Sequence, residues 1–281
     1  MLSPFGPVFR GPSYKSCCQD QVPCSDYQQE CCPKNTSPSD PGNLVLFNFG
    51  AYDGKALSKW LAPEKHPENV VSSILVNEGL LDRFSAERVH LVAVEPNPEA
   101  FPSLKAAKEM WEQEHGFKVT IVEAAASVNN STMRFGAYVR QDGGSDRDGM
   151  RISDQGTVEI PTIDTSGLIF SHCRPGDICI CAFDVEGAEF AILRDLFFKQ
   201  PSVGCLCDVL VVEWHELIGE DQEYLLVNDF GDDKFSLRHI PEKLLSAAVM
   251  DGAMRYMLEA RDQSCPTIYV GFRYDQGVFD I

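Results

Sequence analysis

Positive charge is scarce in this chain: 24 Lys and Arg stand against 42 Asp and Glu, a formal net charge of −18 over 281 residues. A non-specific grip on phosphate needs an excess of Lys and Arg to displace counterions, so nucleic acid and anionic membranes are not expected partners. Also missing is any uninterrupted apolar run of the roughly 18–20 residues that a membrane-spanning helix takes. The opening MLSPFGPVFRGPSY has no basic stretch leading into an apolar one, and the chain shows no internal repeat. At 44% apolar and 23% charged residues the composition supports an ordinary buried core, which excludes a fibrous or disordered chain.

Cysteine, by contrast, is plentiful and unevenly placed. Five of the eleven, Cys17, Cys18, Cys24, Cys31 and Cys32, crowd among Pro, Gln, Ser and Asp, where there is little to build a core. Disulfides are the expected means of ordering such a coil, with zinc and free thiols as alternatives; two Cys-Cys pairs around a single Cys lack the paired C-x-x-C spacing of a zinc site. Disulfides here imply a secretory lumen or extracellular setting, with a signal or anchor upstream of residue 1. The sequons at Asn35, Asn129 and Asn130 are compatible with it.

NTSPSDPGN, residues 35–43, is a turn-rich linker. It divides the chain into a Cys-rich arm over 1–43 and a main domain over 44–281. In that domain LVLFNF (44–49), HLVAVEP (90–96), KVTIVEAA (118–125), ICICAFD (178–184) and CDVLVVEWH (207–215) are continuous apolar runs separated by helical stretches. Continuous rather than alternating strands spaced by helices predict a doubly wound α/β domain, its mostly parallel sheet covered on both faces. Ser131 to Ile160 breaks the rhythm and reads as a strand pair beside the sheet with a loop between. TIYVGFRYDQGVFDI reads as a C-terminal antiparallel hairpin turning at Asp275-Gln276-Gly277. Cys179, Cys181, Cys205 and Cys207 read as small buried apolar residues, with a metal or disulfide cluster as the alternative, and Cys173 carries no signal of its own.

Ligands of open α/β sheets bind beyond the carboxyl ends of the strands. The first strand runs into Asn48-Phe49-Gly50-Ala51-Tyr52-Asp53-Gly54, a turn that Gly50 and Gly54 allow to approach a nucleotide closely. The second ends at Glu95-Pro96, and an acid there can accept two hydrogen bonds from a ribose diol. The fourth delivers Asp184 and Glu186 to the same edge, and the fifth brings Glu213-Trp214-His215. Two carboxylates at a cleft push their affinities for protons apart, and the histidine titrates near neutrality.

NFGAYDG, VAVEPNPEAF, VTIVEAAAS, VEIPTID, FDVEGAEFAIL and VVEWHE, taken in order, resemble the FkbM-type methyltransferases over residues 44 to 216, most specifically through FDVEGAEFAIL. The resemblance implies a Rossmann-like class I fold and methyl transfer from S-adenosylmethionine, usually to an oxygen of a sugar, polyketide or related metabolite. It places Asn48, Gly50, Ala51, Asp53 and Gly54 around the amino-acid end of the cofactor, and Glu95 and Pro96 at its ribose. Glu123, Ala124 and Ala125 would flank the adenine, and Asp184 with Glu186 would face the methyl group and the acceptor. The expected order of proton acceptors is Asp184, Glu186, His215. Two positions depart from the family: Asn48 stands where Asp is usual, and Ala182 where Lys is frequent. These departures support an alternative, a catalytically silent methyltransferase-like binding module. A nicotinamide-dependent oxidoreductase is a further one, although the full G-x-G-x-x-G turn is missing. The core has no zinc-type ligand spacing, so metal dependence is not expected. Ser131 to Ile160 and Leu217 to Lys234 are the expected acceptor-recognition segments, the acceptor being a small molecule or glycan.

Overall fold

A computed structural model describes residues 42–139, 145–152, 156–174, 176–199, 201–204, 206–215 and 268–273. The Cys-rich arm, with Cys17 to Cys32, lies outside the described residues, as do Leu217 to Lys234 and the turn at Asp275-Gln276-Gly277.

Strand β1 (Leu44–Phe49) is buried at every position because both of its faces meet apolar layers. Val45, Phe47 and Phe49 pack into one core, Leu44 and Leu46 into the other. Such two-sided burial is what a continuous apolar run requires, and what a central parallel strand supplies. Short helices α1 (Lys55–Trp60), α2 (Val70–Asn77) and α3 (Leu80–Arg83) then lead to β2 (Val89–Val94). The helical region is broken where Pro63 and Pro67 predicted; Asn69 restarts it by capping α2, its side chain accepting from Ser72 N at 3.0 Å. Helix α4 (Phe101–Met110) runs on through one wide turn to His115 before β3 (Lys118–Val122).

The expected strand pair belongs to a larger second sheet. Strands β4 (Ala125–Ser127), β5 (Ser131–Val139), β6 (Ser145–Ile152) and β7 (Val158–Asp164) line up in the order β4-β7-β5-β6, with β5 antiparallel to β6 and β7. The run read as one strand over 118–125 is therefore two, ending in different sheets. Helix α5 (Thr165–His172) leads to β8 (Ile178–Phe183), α6 (Glu189–Arg194) and α7 (Pro201–Gly204) follow, and β9 (Val209–Trp214) and β10 (Ile268–Arg273) complete the main sheet. Its order is β10-β9-β8-β1-β2-β3, and every pairing is parallel. The segment expected to open a hairpin thus begins as a parallel edge strand beside β9. The observed architecture is a Rossmann-like α/β sheet, as expected, with a second sheet attached after β3.

The core cysteines correct the sequence reading. Cys179, Cys181 and Cys207 are buried, as expected, and so is Cys173, but as the disulfides Cys173–Cys179 and Cys181–Cys207, with Cα separations of 6.3 and 5.9 Å; Cys205 lies outside the described residues. Cys179 and Cys181 lie two apart on β8 and so share one of its faces. The end of α5 brings Cys173 to that face, and the approach to β9 brings Cys207.

Asp208, next to Cys207, also joins these strands, accepting from Cys179 N at 2.8 Å. Burial pushes its carboxyl up to about 7, against the pull of that N–H. A raised carboxyl adds stability below its unfolded value near 4 and loses it as pH climbs through about 7. Asp208→Asn keeps an acceptor for Cys179 N but has no charge to bury. Its melting temperature is expected to fall less than that of wild type between pH 5 and pH 8, by roughly 4 °C or more; parallel losses in thermal melts would refute this.

Candidate active site

The carboxyl ends of β1, β2, β3 and β8 are stitched into one rim by their backbones. Gly50 N and Ala51 N both donate to Val94 O, Glu95 N to Val122 O, and Asp184 N to Phe49 O, all at 2.9 to 3.0 Å. Gly50 sits at φ +91, and a Cβ built there would stand 1.8 Å from Asp184 O. Only glycine permits this approach of the β1 turn to the end of β8.

Above the rim lies an open cleft, lined among others by Gly50, Glu95, Pro96, Ala125, Asp184 and Glu186. Six predicted residues thus meet around one space. Ala125, Ala126 and Phe135 reach it from the second sheet, which closes one side. Tyr52, Asn97 and Phe135 were not anticipated; Tyr52 and Asn97 lay inside the quoted motifs, but nothing in the sequence linked Phe135 to the strand ends.

Glu95 is 4% exposed. Its Oε2 accepts from Tyr52 N at 2.6 Å and its Oε1 from Asn97 N at 2.7 Å, so it clamps the β1 turn to the end of β2. Burial raises its carboxyl, and the two N–H donors oppose that rise. Each carboxylate oxygen carries a second lone pair, which leaves acceptor capacity toward the cleft. Tyr52 takes the turn at φ +44, an uncommon left-handed conformation for a side chain of that size.

The β8 end carries a second, denser cluster. Glu186 at φ +55 and Gly187 at φ +103 form a left-handed turn before α6. Glu189, the first residue of α6, is 0% exposed. Its Oε2 accepts from Gly187 N at 2.8 Å, and its Oε1 accepts from His215 N at 2.7 Å and lies 3.1 Å from His215 Nδ1. A carboxylate can only accept, so Nδ1 carries the proton of that contact and the ring turns Nε2 toward the acids at the end of β8. There Nε2 lies 3.4 Å from Asp184 Oδ1, 3.9 Å from Glu186 Oε2 and 4.0 Å from Glu213 Oε1. Burial disfavours charge on the imidazole, but Glu189, Asp184 and Glu186 outweigh it and lift the ring to about 10. Burial, then Glu213, push Asp184 upward against the attraction of His215. At that value His215 carries its charge at neutral pH, a buried cation beneath Asp184 and Glu186. Glu189 escaped sequence reading although it stood in the motif; an acid in the first turn of an otherwise apolar helix was its signal.

The other predicted residues stand apart from the lining. Asn48 is 1% exposed in β1, registered with Ala93 and Ala182 on the face of the second core, and its Nδ2 has no hydrogen-bond partner among the described residues. Gly54 caps α1 at φ +83, against the ring of Trp111. Asp53 accepts from Lys55 N at 3.1 Å. Ala51 and Ala124 are buried, and Glu123 pairs with Lys105 at the surface.

No helix among the described residues is long and apolar enough to cross a membrane. No curated protein and no solved structure matches the chain. The family model of the methyltransferase FkbM domain matches residues 50–262, about three quarters of the chain. With the glycine turn, the buried acid of β2 and the acidic end of β8 arranged around one cleft, this protein belongs to the FkbM methyltransferase family.

Proposed function

We propose that the protein transfers a methyl group from S-adenosylmethionine to a hydroxyl oxygen of a sugar, glycan or small metabolite. The observation that carries this reading is the meeting of Gly50, Glu95, Asp184 and Glu186, from the ends of three adjacent strands, on one cleft. Glu95 is positioned to take a ribose diol on its remaining lone pairs, and Gly50 to let the cofactor's backbone-facing side lie close. Ala125 and Ala126 offer a small apolar surface for the adenine. The cofactor supplies a methyl group activated by a sulfonium.

The chain's own task is geometry and proton handling. The acceptor oxygen forms its bond to the methyl carbon as the carbon–sulfur bond breaks, the electron pair goes to sulfur, and the hydroxyl proton must leave. Collinear, water-poor placement supplies much of the rate. Asp184, its carboxyl raised by burial, is suited to receive the proton, with Glu186 beside it. The cationic His215 underneath steadies the charge the pair carries before the transfer. Two buried disulfides fit an oxidising compartment, in line with a luminal or secreted setting.

Titration calorimetry with S-adenosylmethionine, S-adenosylhomocysteine and NAD tests the reading. Micromolar binding of the first two is expected, with Glu95→Ala weakening it by roughly 100-fold or more, the loss of about two charge-assisted hydrogen bonds. Folded protein that binds none of the three would favour a silent binding module, and preference for NAD an oxidoreductase.

A further inference from the structure

The geometry points to a divalent-cation site at the mouth of the cleft, with Asp184, Glu186 and His215 as its three protein ligands and a first-row ion of the Mn2+ type as its occupant. One donor atom from each lies within 4.8 Å of the other two. Donors roughly 2.0–2.2 Å from a common ion stand about 3 Å apart when adjacent and about 4.3 Å when opposite. Nε2 lies 3.4 Å from Asp184 Oδ1 and 3.9 Å from Glu186 Oε2, so shifts of an ångström or less bring all three onto one ion.

Independent of the two acids, the imidazole is held as a metal-ligating imidazole is held. Its Nδ1 is committed to Glu189 Oε1, whose carboxylate is wholly buried and also accepts from two backbone N–H groups. A carboxylate behind the histidine keeps the proton on Nδ1 and aims Nε2 outward, the usual second shell of metal sites; the ion takes the place of the proton that Nε2 carries in the cationic ring, so its binding releases that proton. Among the described residues four carboxylates, Asp184, Glu186, Glu189 and Glu213, surround one imidazole, an excess of negative charge that a divalent ion neutralises. Two carboxylates and one imidazole suit Mn2+, which accepts both ligand types. Because three ligands leave coordination positions open toward the cleft, an acceptor hydroxyl can join them. This role rests on the methyl-transfer reading: the ion would orient the acceptor oxygen and ease the loss of its proton, which Asp184 can take on its second oxygen.

Mn2+ titration of the full chain, read by the electron paramagnetic resonance of the free ion, tests the site. One tight Mn2+ per chain is expected. Its affinity should fall at least 30-fold in Asp184→Asn and in His215→Ala, and roughly 10-fold or more in Glu189→Gln, while the exposed pair Glu64→Gln with Glu114→Gln leaves it unchanged. Circular dichroism on each variant confirms folding; if His215→Ala fails to fold, Asp184→Asn and Glu186→Gln decide. Absence of a tight ion, or a tight ion indifferent to Asp184→Asn and Glu186→Gln, overturns the site. Titrating S-adenosylhomocysteine into the same samples separates the two proposals. Cofactor binding without Mn2+ defeats the metal site alone, and Mn2+ without cofactor leaves the site and defeats the reading of its role.

Discussion

Glu189→Ala is expected to lower the melting temperature by roughly 10 °C or more. The side chain has no exposed surface, and its two oxygens meet three donors, Gly187 N, His215 N and His215 Nδ1. Truncation leaves all three in a dry site, and a buried imidazolium without its closest counter-charge. Removing one partner of a buried charged pair costs about 3–5 kcal/mol, and a kilocalorie moves the melting point of a domain this size by roughly 2–4 °C. Glu189→Gln keeps one acceptor oxygen and should lose about half as much. A shift below about 2 °C in Glu189→Ala would mean that this carboxylate does not hold the end of β9 to the start of α6.

Gly50→Ala is expected to yield no folded protein, or protein with no cofactor binding. Two costs fall on the same atom. The left-handed φ of +91 strains any side chain, and the new Cβ would stand 1.8 Å from the carbonyl oxygen of Asp184, a backbone atom that cannot rotate away. Gly79→Ala isolates the first cost, since Gly79 has φ +60 with nothing within 4 Å of a built Cβ. It should lose only about 1 kcal/mol. If the two variants melted alike, the Gly50 turn would be looser than its contacts require, and the β1 end would not be locked to β8.

The strand ends that carry these predictions were legible before any coordinates. LVLFNF predicted β1 to the residue, because a two-sided apolar layer leaves its mark on every consecutive position. Glu95, Asp184 and Glu186 could be placed because an acid that ends an apolar run stands where a parallel sheet meets its cleft. Asn48 shows the limit: one residue before the strand end, the pleat turns its side chain toward the second core, and strand position alone did not say which face would be lined. The run 118–125 failed for a related reason, since nothing in VTIVEAAAS records that its two halves pair with different sheets. Asp184, Glu186 and His215, the ligands of the proposed cation site, come from the ends of two neighbouring strands, and residues brought together in that way leave no short regular signature.

The sequence by itself determined the family, the parallel α/β plan, the glycine at the β1 turn and the acids at the ends of β2 and β8. Those features are local, written in runs and turns a few residues long that burial and backbone sterics dictate one segment at a time. The tertiary structure alone decided the pairing of Cys173 with Cys179 and Cys181 with Cys207, the second sheet over the cleft, and the burial of Glu189 behind His215. Each of these joins segments that periodicity treats separately, so each is settled only when packing brings the partners within bonding distance.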